Sequence, residues 1–200
     1  MATHRIVHAS AVLCTVAAIP AAAQDVPGTC AVAHPDPAAF IAALEAEGLT
    51  ALPADAPLPD AVVDRLAWIG VAEYLMTDTG GQSAADLLPG QRMAAANIVK
   101  LKPLPTATTR VLAGDAVTLL ASWRVNPLGE AEQQCRLALD LDVPPEPTAG
   151  RHGDLESGAA ETADGTLTTL TFRPNRLDLG ADAPHLVIDQ TLRFPQERDP

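Results

Sequence analysis

Val117-Thr118-Leu119-Leu120-Ala121-Ser122-Trp123-Arg124-Val125, then, beyond Asn126-Pro127-Leu128-Gly129, Cys135-Arg136-Leu137-Ala138-Leu139-Asp140-Leu141-Asp142: this is the stretch on which the fold turns. In its first run Val117, Leu119, Ala121, Trp123 and Val125 alternate with Thr118, Leu120, Ser122 and Arg124. Successive strand side chains point to opposite faces, so a period of two predicts a half-buried strand. The second run alternates Cys135, Leu137, Leu139 and Leu141 with Arg136, Ala138, Asp140 and Asp142. The Asn-Pro-Leu-Gly segment between them has turn chemistry, so the two runs predict a β-hairpin. This register sets Cys135 on the apolar face.

Working outward, residues 109–112, 166–172 and 186–194 carry further strand patterns and bring the count to about five. Upstream the period changes, and residues 36–100 read as helices. Asp36 is a candidate N-cap, Pro37 suits the first helical position and Gly48 suits a left-handed stop. Phe40, Ile41 and Leu44 lie between them at helical spacing. Pro53, Pro57 and Pro59 mark a loop, after which Asp60 begins a longer helix to about Met76 with a broad apolar face. Ser83 and Asp86 are spaced as a capping box for a helical turn that Pro89-Gly90 interrupts. Residues 91–100 then form another helix with Met93, Ile98 and Val99 inward. Helices first and strands after predict an α+β fold, with the N-terminal helices packed on one face of a mostly antiparallel sheet. Residues 143–165, rich in proline, glycine and acids, read as a mobile loop.

The first 23 residues read as a secretory signal. Arg5 forms a short basic region, residues 6–19 are mostly apolar, Pro20 breaks the run and Ala21-Ala22-Ala23 offers the small residues a signal peptidase needs. Cleavage after Ala23 starts the mature chain at Gln24 and leaves 24–200 as one exported α+β domain, periplasmic or secreted. The apolar run is shorter than the roughly 20 residues of a bilayer span, so stable membrane insertion is not expected. Bulky Leu13 before Cys14 argues against a lipoprotein signal.

The net charge of −12 becomes −13 when Arg5 leaves with the signal. Such a chain repels phosphate backbones, which argues against nucleic acid as a partner. Aromatic residues make up only 3% of the chain, so the core must be aliphatic. Once the signal is removed Cys30 and Cys135 remain, and an even pair in an oxidising compartment predicts a disulfide.

Candidate chemistry is sparse. His34, His152 and His185 lie far apart in sequence and lack zinc-site spacing, and Asp178, Gly180 and Asp182 lack the remaining donors of a calcium loop. Ser83 has no nucleophile-elbow context, and helix capping explains it. Arg173, Arg176 and Arg193 flank the last two strands, where they either gather into an anion site or pair with nearby acids. No metal, cofactor or catalytic residue is assigned. The expectation is a non-catalytic exported binding or interaction domain for a protein or small-molecule partner. The alternatives are a periplasmic hydrolase assembled only by folding, and a carrier of a small apolar ligand between helices and sheet.

Overall fold

The computed structural model describes residues 27–77, 83–98, 107–141 and 153–196. The expected signal, the Gln24 terminus and His152 lie outside them. A 3-10 turn, Gly28–Ala31, leads into α1, Pro37–Ala46. The Asp36 carboxylate caps α1 by accepting from the amides of Ala38 and Ala39, and Gly48 ends it at φ 92°. A two-residue strand, β1 (Thr50–Ala51), precedes α2 (Asp60–Thr77) and α3 (Ala84–Asn97). Ser83 and Asp86 form a complete reciprocal capping box at the start of α3. That helix runs on through Pro89, where a break was expected. Proline's fixed φ suits a helix, but Pro89 is the sixth residue of α3 and so leaves one rung unmade, the bond to the Ala85 carbonyl. Met93, expected inside, is 67% exposed.

Six longer strands follow: β2 (Ala107–Ala113), β3 (Val117–Val125), β4 (Glu130–Leu139), β5 (Gly153–Glu161), β6 (Thr166–Pro174) and β7 (Leu186–Pro195). A short turn of helix, α4 (Arg176–Leu179), joins the last two. The strands form one sheet in the order β1-β2-β3-β4-β7-β6-β5, with every pairing antiparallel. The β3–β4 hairpin forms as expected and Cys135 takes the apolar face, with Val125 opposite Ala131 and Ala121 opposite Cys135. Its turn is tied by the Asn126 side chain, which accepts from the amides of Leu128 and Glu130, and by Gly129 at φ 82°.

One face of the sheet carries Leu112, Leu119, Trp123, Cys135, Leu137 and Leu192, packed beneath Phe40 and Leu44 of α1 and Cys30 of the 3-10 turn. The opposite face carries Val111, Leu120, Ala138, Phe172 and Val187 against Val62, Leu66 and Ile69 of α2, with Ala95 of α3 behind. The fold is thus α+β, with two corrections. The helices cover both faces and not one, because the alternate positions of β3 and β4 include residues that can themselves be buried. Thr118 and Ala138 are both 0% exposed. The sheet also has seven strands and not five. The segment 153–161, read as loop, is β5. It buries so little that no hydrophobic alternation marks it, and backbone pairing to β6 holds it. No helix among the described residues is long and apolar enough to cross a membrane.

Candidate functional site: the groove between α1 and β2

Helical periodicity divides α1. Phe40 and Leu44 enter the core, whereas Ala38, Ile41, Ala42 and Glu45 form the neighbouring stripe at i, i+3, i+4 and i+7. That stripe faces β2, whose Thr108 and Arg110 lie on the same sheet face as Leu112. Together these residues line a groove of about 370 Å³. Its position follows from where β1 ends. Strand β1 pairs with Leu112 and Ala113, and the Leu52 amide donates to the Val111 carbonyl at 2.9 Å. The pairing stops there, so residues 107–110 have no strand beyond them among the described residues.

Arg110 is the distinctive group of the groove. Its Nη1 donates to the Thr109 backbone carbonyl at 3.1 Å, and no carboxylate among the described residues pairs with it. Arg65, Arg92, Arg124, Arg136, Arg173 and Arg193 each have one: Asp140, Asp64, Glu132, Glu73, Glu156 and Glu132 respectively. On a protein this acidic, an uncompensated guanidinium beside an apolar wall is a ready anion site. Glu45 places an opposite charge in the same groove.

Several charged groups elsewhere pair with one another. Glu132, only 8% exposed, lies between Arg124 and Arg193 and bonds to both. Burial works against its carboxylate, but the two arginines outweigh it and hold the pKa below the ordinary range. On the same face Asp189 accepts from Gln134 Nε2 at 3.0 Å, and burial pushes its carboxyl above the usual range.

His34 stacks obliquely on Phe40 with ring centroids 5.7 Å apart, and burial lowers its pKa against a hydrogen bond with the Thr29 backbone. His185 Nδ1 accepts from the Leu141 amide at 2.9 Å and its Nε2 meets Arg176. Burial, then the Arg176 charge, lowers its pKa. Both histidines are held within the fold and do not converge on a metal or nucleophile. Ser83 Oγ is engaged with Asp86 at 2.6 Å as a cap. Arg173, Arg176 and Arg193 do not gather: Arg173 pairs with Glu156, Arg176 bonds His185 and the Ala181 carbonyl, and Arg193 pairs with Glu132. Asp178 lies in the turn capped by Asn175.

Cys30 and Cys135 stand with Cα atoms 5.9 Å apart, within disulfide reach, and both are 0% exposed. Sequence reasoning missed the pair Arg110 and Glu45. The available signal was parity: Thr108 and Arg110 share with Leu112 a face that is largely apolar. No family model matches the chain, and no curated protein or solved structure shows significant likeness to it.

Proposed function

We propose that this chain is an exported, non-catalytic binding domain that takes a small, partly apolar carboxylate in the groove between α1 and β2. The observation that carries this reading is Arg110, the groove's cation without a carboxylate partner among the described residues. The ligand's carboxylate would meet Arg110, and its apolar body would lie on Ala38, Ile41 and Ala42. An ammonium group on the same ligand would be favoured by Glu45. Small-molecule sites typically enclose roughly 300–1,000 Å³ and combine apolar walls with a few convergent polar groups. Export is supported by the signal-like first 23 residues, and the paired geometry of Cys30 and Cys135 suits an oxidising compartment.

Calorimetric titration with leucine, N-acetylleucine and leucinamide tests the site. The two carboxylates should bind and leucinamide should not. Arg110→Ala should weaken binding by about tenfold or more, since a hydrogen bond to a charged group is worth about 1.5–3 kcal/mol. Equal binding of leucinamide, or an unchanged affinity in Arg110→Ala, would refute the assignment.

A further inference from the structure

The sheet ends at β5, and no strand lies beyond it among the described residues. Eight of its nine residues are exposed, from Asp154 to Glu161. In the turn to β6 the Thr162 amide donates to the Gly165 carbonyl. Antiparallel ladders alternate, so even-numbered residues of β5 bond to β6, and Leu155, Ser157, Ala159 and Glu161 aim their N–H and C=O groups outward. The middle of the strand is Ser157-Gly158-Ala159-Ala160, with no bulky side chain to shield that backbone. Nor does the edge have the usual defences of a bulge, a proline or a lysine. Its own charges are all of one sign: Asp154 and Glu156 on one sheet face, the latter already paired with Arg173 of β6, and Glu161 on the other.

We infer that the β5 edge is an interaction surface that accepts an extended, lysine- or arginine-bearing segment of a partner protein as an eighth strand. Backbone bonds to Leu155, Ser157, Ala159 and Glu161 would supply the attachment, and the acidic side chains would select a basic segment. A second copy of this chain is the poorer occupant, because it would set one acidic strand against another on molecules of net charge −12. This inference is independent of the groove.

The test uses the full exported chain and a labelled nine-residue peptide with lysine at alternate positions and threonine or valine between. Fluorescence anisotropy should show binding that weakens several-fold from 50 to 200 mM salt, and a glutamate version should not bind. Ala159→Pro removes an outward N–H and leaves both the β6 ladder and the charge intact, so it should cut affinity at least tenfold. A second measurement leaves the protein unaltered: the peptide is N-methylated at alternate residues in each of the two phases. One phase should abolish binding and the other should retain it. Equal binding of both phases, or an Ala159→Pro variant that folds and binds like the parent, would reduce the effect to charge alone and overturn the inference. A dimer in sedimentation that Ala159→Pro splits would also overturn it, by making a second copy the occupant.

Discussion

The centre of the sheet and its β5 end belong to one hydrogen-bonded ladder, yet different forces hold them. At β4 the side chains alternate between two hydrophobic cores, and Leu137 and Ala138, adjacent in sequence, are each 0% exposed on opposite faces. At β5 the backbone pairs along its whole length with β6, but almost no apolar surface leaves water. Backbone pairing carries register across a sheet, whereas burial contributes most of the free energy. One sheet can therefore have a stable middle and a weakly held edge.

The largest test of that contrast is covalent. Replacing Cys30 and Cys135 together by serine should lower stability by about 4–5 kcal/mol in urea, by the chain-entropy model for a loop of about 100 residues. The two positions lie 105 apart in sequence. A loss below about 1 kcal/mol would show that the centre holds itself together without the crosslink.

Leu137→Ala comes next. It removes a fully buried side chain from β4 and should cost about 2–5 kcal/mol in the same assay. A smaller cost would mean that the centre can collapse around the cavity, which would blur the contrast.

Acid should weaken the centre first. The pKa values of His34 and His185 are depressed in the fold. Their contribution to stability is complete above the unfolded value of about 6.5 and is lost as pH falls from there toward the folded values. Urea midpoints at pH 7.5 and 5.5 should therefore differ more in the parent than in a His34→Gln, His185→Gln double variant. Asp189, whose pKa is raised, acts with the opposite sign in both proteins and so leaves that difference unaffected. Identical slopes would remove the histidines from the account.

The smallest effect is expected at the edge. Leu155 of β5 is 47% exposed, and Leu155→Ala should change stability by less than about 0.5 kcal/mol. Hydrogen exchange should show the even-numbered amides of β5 opening well before those of β4. A cost for Leu155→Ala approaching that of Leu137→Ala would show that β5 has a core of its own.

These two regions also mark what the sequence could and could not reveal. The β3–β4 hairpin was legible because burial wrote a period of two into it, and its turn residues agreed. Helix α1 was legible from Asp36, Pro37 and Gly48, each of which takes its expected place. Strand β5 was hidden because Gly-Asp-Leu-Glu-Ser-Gly-Ala-Ala-Glu has neither alternation nor β-branched residues. Only its partner strand specifies it. The second helical layer was hidden for the opposite reason, since Leu120 and Ala138 looked like the water-facing half of a strand. The groove was only half legible: parity places Arg110 on the core face, but Glu45 joins it only through packing.

Strand β7, the last in chain order, lies between β4 and β6. During synthesis the chain therefore presents two incomplete sheets: β1 to β4 with an open edge at β4, and the β5–β6 hairpin with an open edge at β6. Neither can be closed until the segment from Leu186 to Pro195 emerges and pairs with both at once. The joining step thus waits for Leu186–Pro195, and a chain cut short before Leu186 would carry two sticky edges, at β4 and at β6, that the complete sheet has closed. A chaperone guarding the unfinished chain would have those two edges to cover, and could let go once the ten-residue strand β7 is in place.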